Sequence, residues 1–190
     1  MSNGLCIAIL GPDGVGKSTL VAGLKDAYPR PITVLKMAAA TRLPVPGPTA
    51  VRWLVRTAMS AWVLVSARID LVRGRVIVWD RHPLEDRVMR AEGRLVLGDR
   101  RRWLGRLAPQ PDVVVILDAP TAVLRQRRDE HHADQFDRFR QIYERIARER
   151  PAILVEASRP AADVRDEVVR RLRRFELERS TADESGDPLP

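Results

Sequence analysis

The 190-residue sequence is poor in cysteine, in aromatic residues and in long apolar runs. Its single cysteine, Cys6, excludes an intramolecular disulfide and lies in an apolar segment, where a small core residue is expected. The most membrane-like stretch, residues 57–67, has eleven residues, whereas a membrane-spanning helix needs about 20. The N-terminus lacks the basic, apolar and small-residue regions of a signal peptide. We therefore expect a cytoplasmic protein that does not associate with membranes.

Lysine is also scarce, although the chain is strongly basic. There are 33 lysines and arginines against 25 acidic residues, which gives a net charge of +8, and only three of the basic residues are lysines. The arginines are scattered from residue 30 to residue 179, and aromatic residues make up only 5% of the chain, so the sequence has no aromatic–basic platform for stacking bases. We therefore do not expect nucleic acid as a partner. An enzyme that handles two polyanions also needs arginines.

A glycine-rich motif is the most informative feature that the sequence does contain. Residues 11–18 read Gly-Pro-Asp-Gly-Val-Gly-Lys-Ser and fit the pattern G-x-x-x-x-G-K-[ST] of phosphate-binding P-loops. The apolar run Leu5–Leu10 before the motif predicts a buried strand, and the spacing of Leu20, Leu24 and Ala27 after it predicts a helix. This order suits the chemistry, because backbone N–H groups and the helix N-terminus then converge on phosphate oxygens.

The motif assigns roles to individual side chains. Lys17 is expected to reach the β- and γ-phosphates of a nucleoside triphosphate, and the Ser18 hydroxyl to be a ligand for Mg²⁺. We therefore expect ATP as co-substrate and Mg²⁺ as cofactor. The predicted nucleotide-binding residues of this segment are Gly11, Asp13, Gly14, Val15, Gly16, Lys17, Ser18 and Thr19. Two other P-loop classes are excluded, since the sequence lacks the Asn-Lys-x-Asp segment of regulatory GTPases and the Leu-Ser-Gly-Gly-Gln signature of transport ATPases.

Four further apolar runs predict a parallel α/β sheet. They lie at residues 32–35, 76–79, 113–117 and 153–155, and helical patterns separate them. We expect a three-layer P-loop NTPase sandwich, with helices on both faces of a five-stranded parallel sheet, in one domain over residues 1–179. The later helices are predicted at residues 121–130, 133–150 and 161–177. The tail 180–190 has little to bury and is expected to be disordered.

A long predicted helix over residues 49–72 carries an apolar stripe with helical spacing. The stripe consists of Val51, Leu54, Val55, Ala58, Trp62, Val65 and Ile69. We expect these side chains to pack against the sheet. The same helix is the candidate for a homodimer interface.

Two aspartates follow predicted strands, at the edge where open parallel sheets bind their ligands. Asp80 is followed by Arg81. A carboxylate there can orient Mg²⁺ or accept a proton, and a neighbouring guanidinium can hold a phosphate. Asp118 belongs either to the site or to the cap of the next helix. We therefore count Asp80 and Arg81 among the catalytic residues, with Lys17, and Asp80 with Ser18 as the Mg²⁺ ligands.

Three segments, in this order, resemble the thymidylate kinase group of P-loop kinases. They are residues 11–19, residues 78–82 and residues 111–120, and residues 155–159 with Val164 resemble that group's final strand and helix. The resemblance covers roughly residues 4–175. It implies a sheet in which the P-loop strand is central and the strand that ends at Asp80 lies beside it.

The resemblance also implies roles for residues outside the strands. Asp13 would face the acceptor rather than ATP, and Arg81 would contact the acceptor or the transferred phosphoryl group. A lid around residues 125–135 would close over ATP with the catalytic residues Arg125 and Arg128, which share a helix face. Arg159 would lie on the nucleotide side.

The acceptor half departs from the pattern of that group. Where thymidylate kinases have Arg-Glu-Pro-Gly, this chain has Thr-Arg-Leu-Pro at residues 41–44, and His82 stands in place of the tyrosine that usually follows Asp-Arg. For a neutral hydroxyl acceptor, either Asp80 or Glu85 is the base. The acceptor-binding candidates are Asp13, Arg42, Arg81, His82, Glu85 and Arg87.

The sequence therefore predicts an ATP- and Mg²⁺-dependent small-molecule kinase. Its expected acceptor is a nucleoside, a nucleotide or another small hydroxyl or phosphate compound. Genuine dTMP phosphorylation is one alternative, and a non-catalytic ATP-binding switch or partner module is another. ATP turnover separates these hypotheses, because a kinase releases ADP only with an acceptor, whereas a switch hydrolyses ATP slowly whatever is added.

Overall fold

The structure is a computed structural model that describes residues 4–35, 46–80, 82, 107–127 and 133–185. Within these residues five strands form one sheet: Leu5–Leu10 (β1), Ile32–Leu35 (β2), Val76–Asp80 (β3), Val113–Asp118 (β4) and Ala152–Glu156 (β5). The helices are Lys17–Ala27 (α1), Thr49–Val72 (α2), Thr121–Arg127 (α3), Ala133–Glu149 (α4) and Ala161–Ser185 (α5). Every strand pair is parallel, and each of the five predicted strands is confirmed.

β1 lies at the centre of the sheet, whose order is β2-β3-β1-β4-β5. All six residues of β1 are buried, because a central strand with helices on both faces exposes neither side, and this explains its continuous apolar run. Ile9 lies opposite Asp80 of β3 and opposite Val115 of β4. The expected central strand and its β3 neighbour are thus confirmed. The C-terminal ends of β1, β3 and β4 meet at one side of the sheet, called the carboxyl edge below.

Helices cover both faces of the sheet, as predicted. On one face, Leu24 of α1 and Leu172 of α5 belong to one buried cluster with residues of β1, β3, β4 and β5. On the other face, Tyr143 of α4 packs on β1 and β4, and Leu64 of α2 packs on a cluster that includes Trp79 of β3. Among the described residues, no helix combines the length and the apolar character needed to cross a membrane.

α2 packs on the sheet with the opposite side from the one predicted. Its buried residues are Ser60, Leu64 and Ala67, whereas Trp62 is 70% exposed. The prediction that the apolar stripe packs against the sheet is therefore wrong. Both rows of α2 are compatible with helical spacing, so periodicity alone does not decide which row faces the sheet. The exposed large side chains on the outer row, called the outer stripe below, are Val51, Leu54, Trp62, Val65, Ile69 and Val72.

The last helix is longer than predicted. α5 continues through residues 180–185, for which we expected disorder. Two side chains in its second half bind groups at the opposite end of the sheet from the carboxyl edge. The Tyr28 hydroxyl donates to Glu176 Oε2 at 2.6 Å, and burial together with this carboxylate raises the pKa of Tyr28. Arg179 lies 3.2 Å from Asp112. The Arg179 contact thus holds α5 on the sheet beyond residue 177, where its predicted apolar pattern ends.

Candidate active site

The glycine loop leaves β1 at the carboxyl edge and runs close to the end of β4. A Cβ atom on Gly11 would lie only 2.5 Å from the Leu117 carbonyl oxygen, and Gly11 has a φ of +149°. Gly14 and Gly16 also have positive φ values, of 85° and 108°. These backbone conformations and this close approach require glycine. The motif glycines therefore shape the loop, as the sequence predicts for a phosphate cradle.

α1 begins directly after the loop. Gly16 precedes its first turn, and the Leu20 N–H donates to the Gly16 carbonyl at 3.0 Å. Ser18 and Thr19 lie exposed in that first turn. The N–H groups that open an α-helix have no acceptor within the helix, and their partial positive charge attracts anions. The loop and the start of α1 together form a surface suited to phosphate oxygens.

Lys17 folds back onto the loop that precedes it. Its Nζ donates to the Gly11 carbonyl at 2.6 Å and to the Pro12 carbonyl at 2.9 Å. The Asp13 Oδ1 atom lies 3.4 Å from the same nitrogen. Lys17 is only 7% exposed. The ammonium is thus held at the mouth of the loop, where a phosphate group bound by the loop would lie within its reach.

Asp80 ends β3 next to the loop. It lies opposite Ile9 in the register of β1 and β3, two residues before Gly11 in β1 and the loop. Asp80 is only 9% exposed. The structure therefore brings Asp80 to the same carboxyl edge as Lys17 and Ser18, although Asp80 is far from both in sequence. Hydroxyl and carboxylate oxygens are the protein ligands that Mg²⁺ prefers.

Asp118 ends β4 at the same edge and is paired with Arg140 of α4, which is not among the predicted site residues. Arg140 of α4 donates from Nε to Asp118 Oδ2 at 2.9 Å and from Nη2 to the Ala119 carbonyl at 2.8 Å. Asp118 Oδ1 accepts the Ala119 N–H at 2.8 Å. Arg140 stands on the apolar face of α4, three residues before the buried Tyr143. An arginine at an apolar position of an amphipathic helix is the sequence signal that could have indicated this pairing.

His82 lies beneath the edge rather than on it. It is 2% exposed, its Nε2 donates to the Pro109 carbonyl at 3.1 Å, and its ring meets Trp79 edge to face at 5.3 Å. The Cys6 thiol lies 3.9 Å from the same carbonyl, and burial raises its pKa to about 12. This environment fits a histidine that anchors the chain after β3, and its burial among the described residues does not favour the predicted acceptor contact.

Arg159 lies on the turn between β5 and α5. It donates to Glu167 of α5, and this hydrogen bond holds the pKa of the Glu167 carboxyl below its usual value. Arg125 lies in α3, but its side chain is outside the described part of the structure. The other predicted site residues outside the described ranges are Arg42, Arg81, Glu85, Arg87 and Arg128. Within the described ranges, no three His, Cys, Asp or Glu side chains cluster as a metal site.

Comparison with known proteins gives the fold a name. No family model matches the chain, and no curated protein matches it by sequence. Among solved structures, the chain is similar to the thymidylate kinase of Candida albicans, with a TM-score of 0.59 and 17% sequence identity over 94% of this chain and 92% of that one. The chain has the α/β P-loop kinase fold. The predicted fold class is thereby confirmed, and the P-loop kinase fold accounts for the position of the glycine loop on the central strand.

Proposed function

We propose that the protein is an ATP- and Mg²⁺-dependent kinase that transfers the γ-phosphoryl group to a small-molecule acceptor. The observation that carries the proposal is the glycine loop, with Lys17 at its mouth and Asp80 at the end of the neighbouring strand, in a P-loop kinase fold that covers 94% of the chain. Phosphoryl transfer needs positioning and charge neutralisation more than covalent chemistry. A phosphate cradle, a buried ammonium and a carboxylate at one edge supply both.

Each group on the ATP-binding side, called the donor side, has one proposed role. The loop N–H groups and the start of α1 hold the phosphate chain, and Lys17 neutralises the charge that develops on the transferred group. Ser18 and Asp80 are the residues that would hold Mg²⁺, which in such sites takes few protein ligands and the rest from phosphate and water. When bound, the ion offsets negative charge on the phosphates. Arg125, Arg128 and Arg159 complete the donor side in this proposal.

The acceptor side is proposed to differ from that of thymidylate kinases. The missing acid at residues 41–44 and His82 after Asp80-Arg81 support this, as does the burial of His82. We propose a nucleoside, a nucleotide or another small hydroxyl or phosphate acceptor, bound by Asp13, Arg42, Arg81, Glu85 and Arg87. The structural similarity to the thymidylate kinase of Candida albicans supports dTMP phosphorylation as the alternative.

An ADP-release screen tests the proposal. The purified protein is incubated with ATP, Mg²⁺ and one member of a panel of nucleosides, nucleoside monophosphates and sugars. We expect ADP release close to background without an acceptor and at least about tenfold faster with one acceptor class, since water is excluded from productive sites of this kind. Release with dTMP alone would support the alternative. Slow hydrolysis that no acceptor changes would contradict a kinase and indicate an ATP-binding switch.

The outer stripe of α2 supports a further proposal, that the protein is a homodimer. Its consecutive members lie three, four or eight residues apart along six turns of helix, which is a spacing with which one helix packs along another. A second copy brings the same stripe, so the two stripes can pack against each other about a two-fold axis. Soluble monomers seldom expose so long an apolar row. The resemblance to thymidylate kinases, a group that is often dimeric, agrees with this partner.

Trp62→Glu is expected to dissociate the dimer, because it places a charge at the centre of the outer stripe, which the dimer would bury. Light scattering after size exclusion should give twice the 21.4 kDa chain mass for the wild type. We expect the dimer dissociation constant of the variant to rise about a hundredfold, since central tryptophans dominate such interfaces. Leu177→Glu is the matched control, because Leu177 is equally exposed on α5. A monomeric wild type, or a variant that stays dimeric, would contradict the proposal.

A further inference from the structure

The Lys17 ammonium has its full hydrogen-bonding capacity engaged within its own loop. An ammonium has three N–H donors, and three acceptors surround Nζ: the carbonyls of Gly11 and Pro12, and the Asp13 carboxylate. The side chain is nearly buried. A phosphate that binds Lys17 must therefore replace one of these three acceptors.

Asp13 is the acceptor that a phosphate replaces most readily. The two carbonyls lie at 2.6 and 2.9 Å and belong to backbone whose path is set by the close approach of Gly11 to β4. The Asp13 contact is the longest of the three, at 3.4 Å, and this side chain is 31% exposed. A carboxylate on a rotatable side chain can turn towards solvent, whereas a carbonyl moves only with the loop.

We propose that the Asp13 carboxylate competes with the donor phosphate for Lys17 and thereby sets the affinity of the loop for nucleoside triphosphates. The inference rests on the proposed function, because it concerns the same donor site. Binding exchanges one ion pair of Lys17 for another, so the attraction gained is reduced by the attraction lost. The displaced carboxylate also remains near the phosphates, and like charges repel. Asp13 therefore weakens donor binding.

The loop does not need this carboxylate in order to hold phosphate. The P-loop pattern leaves position 13 open, and the cradle consists of backbone N–H groups, the start of α1 and Lys17. Removal of Asp13 should therefore have the opposite effect from removal of Lys17. This contrast separates a competitor for the ammonium from a residue that contacts the phosphates.

Calorimetric titration of the full-length protein tests the inference without any acceptor. The probes are inorganic tripolyphosphate and ATP, both in EDTA so that no metal bridges Asp13 to the ligand. Asp13→Asn and Asp13→Ala are expected to lower the dissociation constant of each probe about fivefold. Asp118→Asn is the control, since it removes a carboxylate of the same edge that pairs with Arg140 instead. It is expected to change the constant by less than about twofold.

A second pair of proteins tests whether Asp13 acts through Lys17. Lys17→Ala is compared with the Lys17→Ala/Asp13→Asn double variant. Without the ammonium there is no pair to break and only the repulsion between the carboxylate and the phosphates remains, so the second substitution is expected to lower the dissociation constant by at most about twofold. A fivefold gain in affinity on Asp13→Asn, both with Lys17 and with Lys17→Ala, would overturn the competition and leave only repulsion between Asp13 and the phosphates. Unchanged affinity in the Asp13 variants would overturn it also. A wild-type protein that binds neither probe would instead contradict the proposed function.

Discussion

Lys17→Ala is expected to lower the kcat/KM of phosphoryl transfer about a thousandfold, because it removes the ammonium held at the mouth of the phosphate loop. A fixed donor aimed at developing charge is worth about 10²–10³ in rate, and Lys17 also contributes to binding of the phosphate chain. Steady-state ADP release with the acceptor found in the screen measures both kcat and KM. We expect the loss to fall mainly on kcat at saturating ATP.

The control for this prediction is Lys25→Ala. Lys25 lies on α1 as well, but it is exposed and one helix length away from the loop. We expect its substitution to leave kcat/KM within about twofold, because surface charges away from a site contribute little. Since Lys17 also bonds two loop carbonyls, melting temperatures of both variants are needed to separate lost chemistry from lost stability. Full activity of a folded Lys17→Ala variant would contradict the kinase assignment.

Much of the fold could be predicted because its signals are local. The buried strands read as continuous apolar runs, and glycines are required where the loop between β1 and α1 takes positive φ values. The structure therefore has the strand Leu5–Leu10, the glycine loop of the motif at residues 11–18 and Asp80 at a strand end, as the sequence predicts. For the same reason the phosphate-binding part of the candidate site could be predicted, since the glycine loop, Lys17 and Ser18 follow one another in a short segment.

Predictions failed where the orientation of an element depends on packing between residues that are distant in sequence. α2 has two rows that both satisfy helical spacing, and the sheet receives the row with Ser60 and Ala67, whose small side chains allow close approach. Periodicity does not carry this information. The sequence also does not reveal the Asp118–Arg140 pair, which joins residues 22 positions apart, or the hydrogen bond between His82 and Pro109, which are 27 residues apart. Partners at such separations leave no periodic signal.

Asp80→Asn is expected to lower kcat about a hundredfold, and to do so with little change in ATP affinity. Asp80 is held at the end of β3, beside the strand that leads into the loop, and its side chain is nearly buried. A positioned carboxylate that takes the acceptor proton is worth about 10²–10⁴ in rate. The amide of the variant keeps the shape of the side chain but neither accepts the proton nor offers a charged oxygen to Mg²⁺.

Comparison with Glu85→Gln decides which of the two acids is the base. We expect Glu85→Gln to lower kcat by less than about tenfold, because the loss of a polar acceptor contact is worth less than the loss of a base.

The nature of the acceptor separates the two roles of Asp80. A hydroxyl acceptor must lose a proton, whereas a phosphate acceptor is already ionised. A role as base therefore predicts a large loss for hydroxyl acceptors alone, while a role in holding Mg²⁺ predicts an equal loss for both and a higher Mg²⁺ requirement. If Asp80→Asn kept its full kcat with every acceptor, Asp80 would have neither role, and Glu85 would become the candidate base.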